Sequence, residues 1–339
     1  MIKRLNILKF LTLILLFILL LIVDFNTGHI KIPFSEILKF FSFSDVSDEF
    51  YLLIKEFRFP RIIAAILSGA ALSIAGLIMQ TLFRNPLAGP YVLGVSSGAS
   101  LGVAIVVLGA NYIFKQEIIY SNYLVLVAAG LGSAAVLAII LSVSFRVKDI
   151  LSILIIGILI AGVTNSIVSI LQYYANDINV KSYVVWTMGS LSAVSFKDIS
   201  ILAPILIISI IAIFGMSKSL NLILPGENFA KSMGVNLISL RIVLFIFVSI
   251  LTGAVTAFCG PIGFIGIVAP HVARWLFNTS DHFVLIPAST LIGASFMLCG
   301  DLFTHIISSN GILPINAITS ILGAPFIIWI IVKNKRTIV

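Results

Sequence analysis

The sequence predicts an all-α protein with about ten membrane-spanning helices. Of its 339 residues, 60% are hydrophobic and only 10% are charged, and the mean hydropathy is +1.19. A soluble domain of this composition would expose mostly apolar surface. Apolar runs of about 20 residues, the length that crosses a bilayer core, recur along the whole chain. Because little sequence is left between them, we expect residues 1–339 to form one transmembrane domain.

The ten candidate spans are separated by mostly short connections. They are residues 7–23, 61–82, 91–110, 122–144, 150–174, 198–215, 240–258, 262–277, 283–307 and 313–332. An even number of spans places both termini on one side of the membrane. With the N-terminus inside, thirteen of the 21 Lys and Arg residues lie on the cytoplasmic side. This distribution obeys the positive-inside rule and predicts cytoplasmic termini.

The first run is expected to remain in the protein. It follows Lys3, Arg4 and Lys9, as a signal peptide would, but the sequence after it offers no small-residue cleavage site. The next segment, 24–57, combines an apolar-periodic part with an acidic patch, which indicates a helix and loop on the outer face.

Proline and glycine interrupt two of the later spans. The first interruption lies within 86–102, and the second within 260–270. Broken segments at corresponding positions of two halves are typical of an inverted repeat with a transport pathway at its interface. Gly94, Gly98 and Gly102 recur every fourth residue, which favours close helix packing in lipid.

The longest cytoplasmic segment is 216–240. After Pro225 and Gly226, the residues up to Gly234 alternate with apolar positions at helical spacing. The pattern predicts a short helix parallel to the membrane, and a solvated connector is the alternative.

Several functions are excluded or disfavoured by what the sequence lacks. It contains no Gly-Lys pair, so no P-loop can form, and it lacks the His-Glu-x2-His pattern of membrane metalloproteases. Basic residues are scattered rather than clustered with aromatic ones, which argues against a nucleic-acid partner despite the net charge of +8. We therefore expect no catalytic residue, metal site or bound cofactor in this chain.

Asp301 is the one acid placed well inside a predicted span, with no lysine or arginine expected beside it. His305 follows four residues later, on the same helix face. The pair is either a structural contact or a proton site of an ion-coupled transporter, although such transporters usually carry several charged groups. An enzyme site combining both residues with His271 is disfavoured, because the predicted topology puts His271 at the opposite end of its span.

Arg58 and Arg61 flank Phe59 and Pro60 where the second span begins on the outer face. Two fixed cations at this level either anchor the span among lipid headgroups or meet carboxylates of a docking partner.

Taken together, these motifs resemble the FecCD-type permeases of ABC importers for ferric siderophores, haem and cobalamin. The resemblance covers nearly the whole chain and includes its most distinctive stretches. These are RFPR at 58–61, the segment 68–100, WTMGSLS at 186–192, GENFAKSMGV at 226–235, GPIGFIGIVAPHVAR at 260–274 and ITSILGAPFIIWII at 318–331.

The resemblance implies a type II importer fold and a set of partners. The chain would form a homodimer in the inner membrane of a prokaryote, with two cytoplasmic ATPase subunits that use ATP and Mg²⁺ and an outer substrate-binding protein. It would move an iron chelate by alternating access, and a ferric siderophore is the most frequent cargo of the family.

The resemblance also implies roles for individual residues, each assigned by motif position. Those that would couple to the ATPase are Gly226, Glu227, Ala230 and Gly234. Those that would dock the binding protein are Arg58, Arg61 and His305. Those that would line the translocation path are Leu93, Gly94, Ser96, Ser97, Thr164 and Asn165.

This chain departs from the family pattern in two places near its C-terminal end. His305 stands where many members have arginine, and Ile312 to Asn316 replace a common Glu-Leu-Pro-x-Gly sequence. A histidine is only partly charged near neutral pH, so the resemblance implies weaker or pH-dependent docking.

Overall fold

A computed structural model describes residues 2–28, 30, 32–42, 47–109, 122–147, 149–307 and 313–333. Ile312, one of the departures from the family pattern, lies outside this part. The described residues form fifteen α-helices. They are α1 (Ile2–Asn26), α2 (Phe34–Phe41), α3 (Asp48–Leu52), α4 (Phe59–Phe83), α5 (Val95–Val107), α6 (Asn122–Ser144), α7 (Ile150–Tyr174), α8 (Asp177–Thr187), α9 (Phe196–Gly215), α10 (Ser217–Ile223), α11 (Glu227–Ser232), α12 (Leu237–Cys259), α13 (Ile265–Phe277), α14 (His282–Ile306) and α15 (Ile315–Lys333).

Every predicted span overlaps one of these helices, although the bounds differ by several residues at 91–110 and 262–277. Seven helical segments of the described chain are long and apolar enough to cross a membrane, and α5, α13 and α15 are shorter apolar helices. The predicted all-helical membrane fold is therefore confirmed.

Helix α4 is the centre of the bundle. It is apolar on all sides and almost entirely buried, as expected for a helix without a polar face. It packs against α9, α12, α13 and α14. Its many small residues allow this crowding, because they let neighbouring backbones approach closely.

Two of these contacts are made backbone to backbone. A Cβ atom added to Gly69 would overlap the carbonyl oxygen of Gly293 in α14, and one added to Gly76 would overlap that of Gly266 in α13. Glycine is therefore required at both positions of α4.

The predicted glycine stripe in α5 also packs as expected. A Cβ added to Gly98 would lie 2.5 Å from the carbonyl oxygen of Gly132 in α6, and one added to Gly102 would overlap that of Ala128. Helices α5 and α6 thus form a close pair, and α7 packs beside α5.

The predicted interruptions are present. Helix α4 ends at Arg84 in a left-handed conformation (φ 47°), and a 3₁₀ turn, Pro90–Leu93, then leads to Gly94 (φ 74°) and α5. Before α13, Gly260 and Phe264 also have positive φ values of 75° and 68°. Both breaks shorten the following helix to 13 residues.

The bundle has two ends, which we name after the predicted topology. The predicted outer end carries α2, α3 and the start of α4, and the predicted cytoplasmic end carries α10 and α11. Helix α1 lies at the periphery and contacts mainly α14. It continues to Asn26, so Asp24 belongs to this helix rather than to the extramembrane segment 24–57 in which the sequence placed it.

Candidate functional site

Four ionisable side chains from three helices meet inside the predicted outer end. Arg61 of α4 lies at their centre, with Nε 2.8 Å from Asp301 Oδ2 of α14 and Nη2 3.3 Å from Asp24 Oδ1 of α1. Its Nη1 is 2.7 Å from His305 Nε2. We call Asp24, Arg61, Asp301 and His305 the outer ionic cluster.

His305 Nε2 faces two members of the outer ionic cluster. A guanidinium group can only donate hydrogen bonds, so Nε2 accepts where it meets Arg61 Nη1. The same nitrogen lies 3.9 Å from Asp301 Oδ1, four residues earlier in α14. Arg61 and His305 therefore approach the Asp301 carboxyl group together.

Arg58 lies beside the cluster and shapes the chain that follows α1. Its guanidinium donates to the carbonyl oxygens of Phe25 at 3.0 Å and Ile30 at 2.5 Å, and also to that of Thr27. A Cβ on Gly28 would lie 2.5 Å from Arg58 Nη2, so a glycine lets the turn wrap around this side chain.

These positions change two expectations. First, the prediction that no basic residue accompanies Asp301 was wrong, because Arg61 reaches it from α4. Second, Arg58 and Arg61 are only 6% and 5% exposed, with their donors directed into the chain. Burial of this kind opposes a direct contact with a docking protein, and docking through Arg58, Arg61 and His305 stays a prediction.

The six residues assigned to a translocation path fall into two groups. Leu93 is fully buried. A Cβ atom added to Gly94 would lie 3.0 Å from the carbonyl oxygen of Gly157. The Ser96 hydroxyl lies 3.2 Å from the hydroxyl of Thr256. These three positions pack inside the chain, so a lining role for them stays a prediction.

The other three residues differ in exposure. Thr164 is only 6% exposed and lies on the wall of an apolar cleft of about 690 Å³ between α5, α6 and α7. Asn165 is exposed and Ser97 is partly exposed. The structure therefore does not bring the six residues to a single surface of one chain.

The predicted coupling segment forms the expected short helix. Gly226, at φ 145°, precedes α11, and Gly234, at φ 82°, follows it. Ala230 is fully buried, while Glu227 Oε1 lies 2.5 Å from Arg241 Nη2 of α12. One side of α11 is thus fixed to the bundle.

The other side of this segment is open. Phe229 and Met233 are 46% and 58% exposed. A cavity of about 620 Å³ separates α11 from the ends of α4 and α7, with Arg84, Asp149 and Glu227 on its walls. Asp149 caps α7, and the hydrogen bond from Ser152 holds the pKa of its carboxyl below its usual range. The segment presents apolar side chains beside a charged recess.

The described residues offer no metal site, since no three His, Cys, Asp or Glu side chains converge on a point. His271 Nε2 lies 2.8 Å from the carbonyl oxygen of Pro86, near the predicted cytoplasmic end. It is therefore remote from Asp301 and His305, as the topology predicted.

Sequence reasoning missed three polar residues that join helices in the structure. Asp24 was placed in the extramembrane segment 24–57, and Asn221 and His282, which meet at the predicted cytoplasmic end, were not singled out. Their position in the sequence could have identified them. Each is a polar residue close to the end of an apolar run, where a side chain can form a hydrogen bond to the end of a neighbouring helix.

Comparisons with known proteins bear out the resemblance to the FecCD-type permeases. The model of the FecCD transport family matches residues 14–333. The chain is 31% identical over 325 residues to the hemin transport system permease HmuU of Yersinia pestis, covering 96% of this chain and 95% of that one. It is 34% identical over 286 residues to the vitamin B12 import system permease BtuC of Escherichia coli O9:H4, covering 84% and 85%.

The fold agrees with this relationship. A solved structure described as an inward-facing conformation of a metal-chelate type ABC transporter matches with a TM-score of 0.84 and 27% sequence identity. The match covers 95% of this chain and 98% of that one. The chain therefore belongs to the FecCD transport family and is a permease subunit of an ABC transporter, not itself an enzyme.

Proposed function

We propose that this permease carries an iron chelate, most specifically a ferric siderophore, across the inner membrane into the cytoplasm. Relatives named for hemin and for vitamin B12 support a bulky chelate as the class of cargo. A further relative, from Helicobacter pylori, is named for iron chelatin transport. Two of these three relatives are named for an iron compound, which favours an iron chelate over cobalamin.

The observation that carries the proposal is the exposed coupling segment. Helix α11 is fixed to α12 through Glu227 and Arg241, and it presents Phe229 and Met233 outward. Exposed apolar side chains rimmed by charges are typical of a protein interface. Since the sequence has no P-loop of its own, the partner at this surface supplies the ATP hydrolysis, with Mg²⁺.

The transport cycle is proposed to be alternating access in a homodimer. A loaded substrate-binding protein docks at the outer face, and two ATPase subunits close on the coupling segments at the cytoplasmic face. Each partner binds one of two permease conformations more tightly than the other. This difference in affinity drives the change between the outward-open and inward-open conformations. Both termini of the chain face the cytoplasm in this arrangement.

The rival proposal is an ion-coupled transporter that uses Asp301 and His305 as a proton site. The position of Arg61 weighs against it, because its guanidinium already contacts Asp301 Oδ2 at 2.8 Å and separates this carboxylate from a free proton path. Donation from Arg61 also occupies the His305 nitrogen that faces Asp301. A proton entering this site would first have to displace Arg61.

The test is ATP hydrolysis by the complex purified through this chain and reconstituted in lipid. We expect a co-purified ATPase, stimulated by the binding protein when that protein carries ferric siderophore. Glu227→Ala should reduce the amount of ATPase retained, because α11 loses its tie to α12. Glu56→Ala, which removes an exposed carboxylate at the predicted outer end, is the matched control and should retain it.

Two results would count against the proposal. Uptake driven by a pH gradient in vesicles without ATP would support the ion-coupled rival. Stimulation by haem-loaded or cobalamin-loaded binding protein, but not by the siderophore-loaded form, would retain the importer and reassign its cargo.

A further inference from the structure

A buried histidine joins three helix ends at the predicted cytoplasmic end. His282, the first residue of α14, is 1% exposed. Its Nε2 lies 2.9 Å from Thr81 Oγ1 in the last turn of α4, and its Nδ1 lies 2.7 Å from Asn221 Oδ1 in α10. We call these three side chains the histidine clamp.

The direction of the bond between Asn221 and His282 is determined by its neighbours. The backbone N–H of His282 donates to Asn221 Oδ1 at 2.9 Å, while Asn221 Nδ2 donates to Asp281 Oδ1 at 2.6 Å. The Asn221 amide therefore has one orientation, and its oxygen accepts from the Nδ1–H group of His282. The Thr81 hydroxyl has one proton and two acceptors, the Leu77 carbonyl oxygen at 2.8 Å and His282 Nε2 at 2.9 Å. Both ring nitrogens of His282 are in contact with a polar partner.

The clamp attaches the coupling segment to the bundle. Asn221 lies in α10, which leads through Pro225 and Gly226 directly into α11. A second bond supports the same attachment, since Arg84 Nη2 donates to the carbonyl oxygen of Ile223 at 3.1 Å. Helix α10 is thus tied both to the end of α4 and to the start of α14.

Helices α4 and α14 remain in contact across the bundle. Midway, Gly69 and Gly293 bring the two backbones together. At the far end, Arg61 and Asp301 form the ion pair of the outer ionic cluster. Because close-packed interiors deform little, these two helices are suited to move as one body.

We propose that His282 is a positioning residue that transmits movement of the coupling segment to the α4–α14 pair, and through it to the outer ionic cluster. This inference rests on the proposed function, because an ATPase must act on α11 for any movement to be transmitted. The proposed connection through His282 is separate from the ion pair of Glu227 and Arg241, which joins α11 to α12.

The test compares single side-chain changes in the reconstituted complex with its ATPase and binding protein. Asn221→Ala removes the acceptor that orients His282, and Thr81→Val removes the hydroxyl while keeping the shape of the side chain. We expect each variant to assemble with the ATPase and to hydrolyse ATP without binding protein as the wild type does. The cargo moved per ATP should fall about tenfold, the scale expected when one buried hydrogen bond is lost.

Two control variants separate transmission from ordinary helix stability. Asn236→Ala removes the residue whose Oδ1 accepts from the Ser239 N–H at the start of α12, a comparable bond outside the clamp, and should leave cargo per ATP unchanged. Thr81→Ser retains the hydroxyl and should restore the wild-type ratio.

The inference is overturned if Asn221→Ala keeps the wild-type ratio, or if Asn236→Ala lowers it equally. If Asn221→Ala does not assemble with the ATPase, the test becomes a comparison of cargo moved per ATP between Thr81→Val and Thr81→Ser. Equal ratios for these two variants would then overturn the inference. Failure of the proposed function would look different, because the wild-type complex itself would then show no ATPase that responds to the binding protein.

Discussion

At the scale of single residues, the outer ionic cluster shows how a nearly neutral membrane protein accommodates its few buried charges. An uncompensated charge inside a bilayer or a protein core is costly. Arg61 offsets this cost for two carboxylates, one from α1 and one from α14. The cluster therefore fastens a peripheral helix and a central one to α4.

Removing the central cation should be strongly destabilising. Arg61→Ala leaves Asp24 and Asp301 buried without their cation, and we expect a loss of about 3–5 kcal/mol in the free energy of unfolding. The measurement is the unfolding transition of the purified protein in detergent. Lys197→Ala, a change at an exposed cation on the same predicted side, should leave the transition in place. An unchanged transition for Arg61→Ala would contradict the assigned role of the cluster.

The sequence analysis singled out Arg61, Asp301 and His305, but it did not predict that Arg61 contacts the other two. Arg61 and His305 are 244 residues apart in the chain, and no local pattern relates positions at that separation. Asp24 was hidden because the polar residues after it mark a loop, while α1 continues through it. Burial of Arg58 was equally invisible, because its acceptors are backbone carbonyl groups with no sequence signature.

At the scale of helices, α4 depends on contacts that only glycine permits. Gly76→Ala would place a methyl group into the backbone of Gly266 in α13, so one helix must move. We expect less folded protein in the membrane and a lower unfolding temperature. Gly162→Ala is the matched control, since a Cβ there meets no atom within 4 Å. Equal yields and unfolding temperatures for the two variants would refute the close contact.

Helix positions were predicted well, and one helix start was not. Spans follow from length and hydropathy, and the breaks follow from Pro and Gly, both of which are local properties. The second span was expected to begin at residue 61, after Pro60. Instead, α3 continues through π-helical turns, Leu53–Arg58, directly into α4. Pro60 lies in the first turn of α4, so the helical chain passes through the proline that was expected to precede the start of the span.

At the scale of the whole molecule, the two ends of the bundle should be distinguishable by chemical labelling. We expect a membrane-impermeant thiol reagent to modify Phe57→Cys in intact cells and Phe145→Cys only after lysis. Both side chains are largely exposed, and the predicted topology places them at opposite ends. The background should carry alanine at Cys259 and Cys299, the two free cysteines. Labelling of Phe145→Cys in intact cells would reverse the proposed orientation.

The fold of one chain could be predicted from its sequence, whereas the residues that line the translocation path could not. Composition and motif spacing gave the helical bundle and the family, because these properties lie within a single sequence. Residues chosen for the path scatter between the interior and the surface, as Leu93 and Asn165 illustrate. In a homodimer the path would be completed by a second copy, and no pattern in one chain reports which side chains face that copy.

The peripheral position of α1 has a consequence for how the protein responds to its lipid. Helix α13, with 13 residues, is about 20 Å long and falls short of a hydrocarbon core of about 30 Å. Other parts of the protein cover the chain at the end of α13. The backbone N–H of Gly263, two residues before α13, donates a hydrogen bond to Asn316 Oδ1 of α15. Most apolar side chains of α1 are exposed, as expected for a helix that faces acyl chains. A change in acyl-chain length should therefore tilt α1 first, and through Asp24 that tilt would reach Arg61.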